Sequence, residues 1–295
     1  MTANQMKGII IKKIAGFYYV KNNEDGSIYE CKLRGKLKQQ VLTGDKVVIT
    51  ILDNDRGIME EVLPRENELY RPKIANVTAV ILVFAHDRPA PTPMLLDRLL
   101  FLSYYNRLLP IIVLNKCDIP ESEKAKQIKA YYPMAGFNFI LSSAKTRCGI
   151  QEILDAVKGE VAVMAGPSGS GKSTLLNALS EGLKIRTQEV SSKIGRGKHT
   201  TRHVELFPLP TGGYIADTPG FSIVDMPSIT RREVALHYPD FDQYTDLCEF
   251  RDCLHYKERT CGVKQAHEEG RIPDFRYNNY ISMLEEVISS ERCYK

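Results

Sequence analysis

The segment GPSGSGKST, residues 166–174, has the residue types and the spacing of a phosphate-binding loop. It follows the apolar run VAVMA and precedes the helical stretch TLLNALS, which is the strand–loop–helix order that this motif requires. Lys172 would reach the β- and γ-phosphates, and the Ser173 hydroxyl would bind Mg²⁺. A glycine-rich turn without function is the alternative, which the flanking strand and helix disfavour. The candidate nucleotide contacts are Gly166, Pro167, Ser168, Gly169, Ser170, Gly171, Lys172, Ser173 and Thr174.

The segment NKCD, residues 115–118, would choose the base. It follows the apolar run LPIIVL and so lies at a strand end, where α/β proteins bind ligands. The Asp118 carboxylate can accept from both the N1–H and the exocyclic amine of guanine, and adenine offers neither donor. Lys116 can lay its stem along the base, and Asn115 can tie NKCD to the phosphate loop. With the small residues after FNFIL, whose backbone could meet the guanine O6, the candidate base contacts are Asn115, Lys116, Cys117, Asp118, Ser142, Ser143 and Ala144.

Two segments downstream of the phosphate loop would complete the site. DTPG, residues 217–220, follows the strand-like GGYIA. Asp217 would hold a water on Mg²⁺, and the Gly220 N–H would contact the γ-phosphate. The basic loop GRGKHTTRH at 195–203 contains Thr200 and Thr201, either of which could complete the Mg²⁺ shell. A solvated basic linker is the alternative, but the position between the phosphate loop and DTPG favours function.

The order of these motifs is unusual. NKCD and the SSA segment, residues 142–144, precede the phosphate loop, whereas in an ordinary GTPase they come last. A circular permutation accounts for this order, because the termini of a compact domain often lie close together. The segment after DTPG, a switch element, then runs directly into the C-terminal region, so we expect nucleotide state and the position of that region to be coupled.

A third constellation is Cys248-x4-Cys253-x-His255-x5-Cys261. Its three thiols and one imidazole match the ligand set of a closed Cys3His structural zinc site, which leaves no open position for catalysis. The other cysteines suggest no disulfide framework, and one tight cluster in a reduced protein favours a metal. Unrelated buried cysteines and a redox pair are the alternatives.

The elements that would position these motifs fall into three regions. Residues 1–66 contain short β-branched or aromatic runs between turn signals, which predicts a small OB-like β-barrel. The segment LPRENELYRP, residues 63–72, resembles a linker after the last of these runs. In residues 67–223, apolar strands alternate with helices, as in a parallel α/β sheet. Residues 224–295 would form a mostly helical zinc-binding domain that ends in the helix DFRYNNYISMLEEVI. The predicted fold class is therefore multidomain α/β, with a circularly permuted P-loop GTPase domain in the centre.

Composition excludes several classes of protein. The 295 residues include 40 Lys and Arg and 36 Asp and Glu, a net charge of +4. This is too weak for a histone-like protein but compatible with local nucleic-acid-binding patches. With 43% hydrophobic and 26% charged residues, the chain is neither disordered nor fibrous. Its apolar runs are too short to cross a bilayer and no secretory signal is evident, so we predict a cytoplasmic location.

The order of OB-like domain, NKCD, SSA, GPSGSGKS, GKHTT, DTPG and a Cys-Cys-His-Cys segment resembles the bacterial RsgA family over essentially the whole chain. These are ribosome small-subunit-dependent GTPases. The resemblance implies that the chain binds GTP or GDP, Mg²⁺ and one structural Zn²⁺. It also implies that the small ribosomal subunit stimulates hydrolysis, and that the chain grips 16S ribosomal RNA with its first and last domains late in subunit assembly. We expect a monomer with no membrane or DNA partner.

Considered without the family resemblance, the residues themselves only suggest where RNA would bind. Arg34, Lys36 and Lys38 lie in one predicted loop, and the aromatic run Phe17-Tyr18-Tyr19 lies in a predicted strand. Aromatic residues stack on bases in many single-strand binders. In a short strand, however, they belong more often to the core.

The catalytic group for hydrolysis is also not obvious. Many GTPases place a glutamine directly after the DxxG glycine to orient the attacking water, but here that residue is Phe221. Intrinsic hydrolysis should therefore be slow. His199 is predicted to orient the water once the subunit orders its loop, and the alternative is that it merely shapes that loop.

Two other classes of protein fit parts of the sequence. A phosphotransferase or ATPase would use the phosphate loop on a different acceptor, which NKCD argues against. A pure RNA-binding or scaffolding protein would have a decayed nucleotide site, but Lys172, Ser173, Asp217 and Asp118 are all intact.

Overall fold

The computed structural model describes residues 5–35, 40–52, 55–70, 72–180, 204–217 and 226–293. The chain forms two compact units. The first contains residues 1–81, 147–165 and 172–222, and the second contains residues 82–146, 166–171 and 223–295.

Five strands of the first unit close into a barrel: β1 (Gln5–Ile14), β2 (Phe17–Asn22), β3 (Ile28–Leu33), β4 (Lys46–Ile51) and β5 (Arg56–Val62). β1 pairs with β2 and β4, β3 pairs with β2 and β5, and β4 pairs with β5. Apolar side chains such as Ile10, Val20 and Ile49 fill the interior. The predicted OB-like barrel is confirmed, and the run KGIIIKKIAGFYYV is two strands that turn at Ala15 and Gly16.

The first residues of the predicted linker pack on the barrel. The Arg65 guanidinium donates to both oxygens of the buried Asp45 carboxylate, at 2.7 and 2.9 Å. Asn67 exchanges two hydrogen bonds with the backbone of Val77. Between Asn67 and Val77, the short strands β6 (Glu68–Leu69) and β7 (Ile74–Ala75) pair antiparallel.

The α/β region alternates strands and helices as predicted. Its elements are β8 (Ala79–Ala85), α1 (Pro93–Tyr105), β9 (Leu109–Asn115), α2 (Glu123–Tyr131), β10 (Phe139–Leu141), α3 (Ile150–Ala156), β11 (Val161–Ala165), α4 (Lys172–Leu179), β12 (Glu205–Pro208) and β13 (Tyr214–Asp217). In the second unit β9 runs parallel to β10, and in the first unit β11 runs parallel to β13, with β12 antiparallel beside β13. β8 and β11 are buried along their whole length, which is typical of parallel strands covered on both faces.

The C-terminal part of the second unit is mostly helical, as predicted. It contains α5 (Arg231–Ala235), a 3₁₀ segment at Pro239–Leu247, α6 (Gly262–Glu268) and α7 (Asp274–Cys293). Tyr238, Phe241 and Tyr280 form its core, and Phe101 of α1 belongs to the same buried cluster. Within the described ranges, no helix is both long enough and apolar enough to cross a membrane.

Candidate nucleotide and metal sites

Asn115, at the end of β9, joins the three segments that were predicted to bind the nucleotide. Its Nδ2 donates to the Ser170 carbonyl of the phosphate loop at 2.9 Å, and its Oδ1 accepts from the Ala144 N–H at 3.4 Å. The Cys117 N–H donates to the Ser142 carbonyl at 3.0 Å. The contact predicted between NKCD and the phosphate loop is therefore present, and SSA lies beside both.

Two glycines of the phosphate loop have no space for a side chain. A Cβ on Gly166 would lie 2.1 Å from the Val83 carbonyl oxygen, and a Cβ on Gly171 would lie 2.4 Å from Asn115 Nδ2. Their φ angles are +133° and +96°, a region that other residues rarely adopt. Glycine is thus required here by the packing of the loop against β8 and NKCD.

The remaining residues of the loop leave its outer side accessible. α4 begins at Lys172, so the loop ends at a helix N-terminus, as phosphate binding requires. Ser168, Gly169, Ser173 and Thr174 are exposed, and Pro167 is half-buried. Burial lowers the pKa of Lys172, and a neighbouring phosphate would raise it again.

Lys116 fixes the base-binding segment to the phosphate loop from a second direction. Its Nζ donates to the carbonyl oxygens of Gly169 and Arg88, at 2.6 Å each. Because the ammonium is held by these carbonyls, the apolar stem of the side chain is the part left for contact with a base.

Asp118 is prepared to act as an ionised acceptor. The Ser143 hydroxyl donates to its Oδ1 at 2.7 Å, and this hydrogen bond, helped by Lys145 and Lys116, lowers the pKa of Asp118. Lys145 Nζ lies 3.9 Å from Asp118 Oδ2. The sequence analysis did not include Lys145 among the groups near the base-binding carboxylate. Its position directly after the SSA segment is the one sequence feature that indicates this role.

The hydrolysis segments are described only in part. Asp217 ends β13, and its backbone stands opposite Glu205 of β12. His199, Thr200, Thr201 and Gly220 lie outside the described residues, so their roles stay predictions.

The four predicted metal ligands come together. The ligand atoms of Cys248, Cys253, His255 and Cys261 all lie within 4.8 Å of one another. Cys248 Sγ is 3.9 Å from Cys261 Sγ and 3.6 Å from His255 Nδ1, and His255 Nδ1 is 3.3 Å from Cys261 Sγ. A tetrahedral zinc ion would separate two sulfurs by about 3.8 Å, and a sulfur from a nitrogen by about 3.6 Å. The cluster therefore has the dimensions of a four-coordinate metal site.

The surroundings of the cluster suit a cation. The His255 N–H donates to Cys253 Sγ at 3.4 Å, and the Lys264 N–H donates to Cys261 Sγ at 3.5 Å, contacts that favour thiolates. Burial raises the pKa of both thiols, however, so a cation is needed to hold them deprotonated. Burial also lowers the pKa of His255, which keeps the imidazole neutral and able to bind a metal.

A closed barrel, an α/β region whose NKCD segment precedes its phosphate loop, and a Cys3His cluster define a circularly permuted, multidomain GTPase. Family models match at residues 7–59, for the RsgA N-terminal domain, and at residues 62–227, for the RsgA GTPase. The chain belongs to the RsgA GTPase family, and it is a GTP hydrolase.

Individual relatives match over nearly the full length. The small ribosomal subunit biogenesis GTPase RsgA of Carboxydothermus hydrogenoformans is 48% identical over 97% of this chain and 99% of that protein. The protein of the same name from Moorella thermoacetica is 45% identical over 98% of this chain and 100% of its own. Two solved structures, YjeQ from Thermotoga maritima and YloQ, "a circularly permuted GTPase", are each 35% identical with a TM-score of 0.81. The match to YjeQ covers 96% of this chain and 99% of the YjeQ chain, and the match to YloQ covers 98% of each chain.

Proposed function

We propose that this chain hydrolyses GTP when it is bound to the small ribosomal subunit, and that it acts as a late assembly factor of that subunit. The observation that carries the proposal is the pair of hydrogen bonds at Asn115, one donated and one accepted, which join the three separate segments that we propose to bind guanine nucleotide. The names of the full-length relatives support the small subunit as the partner.

In the nucleotide site, the backbone of residues 166–174 and the Lys172 ammonium bind the phosphates. Asp118 and the SSA segment bind the guanine. Ser173, Asp217 through a water, and Thr200 or Thr201 would hold Mg²⁺, which neutralises phosphate charge when bound. GTP is the substrate and GDP the product.

His199 orients the attacking water, because Phe221 cannot do so. We expect His199→Ala to keep nucleotide and subunit affinity while losing most of the subunit-stimulated turnover. A variant that is stimulated as strongly as the parent would assign the catalytic group to the ribosome instead.

The Cys3His cluster holds one structural zinc ion, since four protein ligands leave no position for a substrate.

We divide the chain into an RNA-binding barrel at 1–66, the GTPase domain at 67–223 and the zinc domain at 224–295. We propose that the protein acts in the cytoplasm as a monomer, with the small ribosomal subunit as its partner and without membrane or DNA partners.

The barrel supplies groups that fit an RNA partner. Lys32 of β3 places its Nζ 5.0 Å from the centre of the Phe17 ring on β2. Tyr19, also on β2, is half-buried. Tyr18 is only 5% exposed and belongs to the core instead. Arg34 begins the predicted basic loop, with 63% of its side chain exposed. We propose that these cations and aromatic rings contact 16S ribosomal RNA.

The test is GTP turnover titrated with purified small ribosomal subunits at several salt concentrations. We expect about 10²-fold stimulation, well below the 10⁵-fold that partner proteins reach elsewhere. Subunit affinity should fall as salt rises, because cations on RNA phosphates release counterions. Arg34→Glu combined with Lys36→Glu should lower the affinity and flatten the salt slope. Equal stimulation by large subunits, or none by small ones, would contradict the proposal.

A further inference from the structure

The turn at residues 42–45 joins the barrel to the backbone that follows the predicted catalytic loop. Thr43 is 6% exposed, and its Oγ1 donates to the Val204 carbonyl at 3.1 Å. Val204 directly precedes β12 and comes three residues after Thr201. This hydrogen bond therefore helps to hold Val204, the first described residue after the segment that carries His199 and the two threonines.

The same turn is firmly held by the barrel and by the approach to β8. The Gly44 N–H donates to the Ile10 carbonyl at 2.8 Å, and the Ile10 N–H donates to the Asp45 carbonyl at 2.9 Å. On its other side, the Ala75 N–H donates to the Thr43 carbonyl at 3.0 Å, and Asn76 Nδ2 donates to the Gly44 carbonyl at 2.9 Å. A displacement of the barrel would therefore carry the Thr43 hydroxyl with it.

A second contact acts on the same strand. Lys12 of β1 stands opposite Glu205 of β12, with Nζ 3.0 Å from Oε1, and Glu205 stands opposite Asp217 of β13. Lys12, Glu205 and Asp217 thus occupy one cross-strand row from the barrel to the proposed magnesium site. The ion pair is partly exposed and contributes little to stability, and it links the two side chains that the backbone pairing of β1 and β12 places opposite each other.

The turn also belongs to the connection that carries the predicted RNA contacts. β3 ends at Leu33 and β4 begins at Lys46, so Arg34, Lys36, Lys38 and Thr43 share one connection. Lys36 and Lys38 lie outside the described residues, and RNA bound by any of the first three would act on the chain between five and nine residues before Thr43.

We propose that Thr43 is a positioning residue for GTP hydrolysis. It passes RNA contact at the 34–45 connection to Val204, and so to the segment that bears the catalytic group. This inference rests on the proposed function. Without the hydroxyl, the barrel still binds RNA and the site still binds nucleotide, but RNA contact sets the position of Val204 less firmly, through β12 alone.

The test compares Thr43→Val, which keeps the shape of the side chain, with Thr43→Ser, which keeps the hydroxyl. We expect Thr43→Val to lower the subunit-stimulated kcat about five- to tenfold, the effect of one hydrogen bond. Basal kcat, KM for GTP and subunit affinity should stay within about twofold, and Thr43→Ser should match the parent. Full stimulation of Thr43→Val, or equal losses in both variants, would overturn the inference. If the parent itself is not stimulated, the proposed function fails and the coupling falls with it.

A charge reversal tests the coupling independently, should Thr43→Val fail to fold. Lys12→Glu and Glu205→Lys should each lower the stimulation, and the double variant should restore it. Because the double variant still carries a glutamate at position 12, its recovery would not come from an RNA contact of Lys12. Lys13→Glu, which lies next to Lys12 on β1, serves as the control for charge alone. A double variant no better than the weaker single one would contradict the coupling.

Discussion

Arg276 of α7 and Asp97 of α1 form a buried ion pair, with Nη1 2.5 Å from Oδ1. Arg276 also donates to both oxygens of Asp240, at 2.9 and 2.6 Å. Asn279 Nδ2 donates to the other Asp97 oxygen at 2.7 Å, and the Tyr132 hydroxyl donates to Asp97 as well. This network attaches the last helix of the chain to the first helix of the α/β region.

Replacing Arg276 should destabilise the fold strongly. Arg276→Met would leave Asp97 and Asp240 buried without their cation, which we expect to cost about 3–5 kcal/mol of unfolding free energy. Urea denaturation measures this cost. Arg271→Met is the matched control, since the Arg271–Glu269 pair is exposed and screened by solvent and should contribute little to stability. Equal stability of the two variants would show that the network does not hold the helices together.

The phosphate loop should not tolerate a methyl group at Gly171. In Gly171→Ala, the new Cβ would collide with Asn115 Nδ2 and break the link between the two loops. We expect GDP affinity to fall by about 10²-fold or more, as for a loss of about 3 kcal/mol. Gly159→Ala controls for backbone strain, because Gly159 also has a positive φ but an added Cβ there meets nothing within 4 Å. Calorimetric titration with GDP compares the two variants. Unchanged GDP affinity in Gly171→Ala would refute the assignment of residues 166–174 as the phosphate-binding loop.

Base choice should depend on Asp118. Asp118→Asn should weaken GTP binding and shift preference toward xanthine nucleotides, because an amide can donate to the 2-oxo group of xanthine. Ser143→Ala is the control, since it removes the hydrogen bond to Asp118 but keeps the carboxylate, and so should retain the preference for guanine. Competition binding with GDP and xanthosine diphosphate measures both. If Asp118→Asn binds GTP as well as the parent, NKCD does not bind the base.

The metal should matter for folding more than for hydrolysis. We expect about one zinc ion per chain by metal analysis, lost in Cys253→Ala, because metal-binding energy at such sites is folding energy. Intrinsic GTP hydrolysis should change little, while subunit association weakens. Cys148→Ala, at an exposed thiol outside the cluster, should keep the zinc. Metal-free protein after purification without chelators would contradict the assignment.

The sequence by itself determined the chemistry of the two sites. The phosphate loop and the Cys3His cluster each occupy one short stretch of chain, so their spacing already fixes which groups can meet. The small barrel and the alternating α/β region followed from local periodicity and turn signals, and the order of the motifs revealed the permutation.

Only the tertiary structure decided which distant groups meet. Arg276 and Asp97, or Thr43 and Val204, are ordinary residues in their local segments, and their partners lie more than 150 positions away. The sequence also could not divide the aromatic run, in which alternation along β2 buries Tyr18 and leaves Tyr19 half-exposed. Such contacts depend on how the strands and helices are connected and packed, and neither periodicity nor motif spacing carries that information.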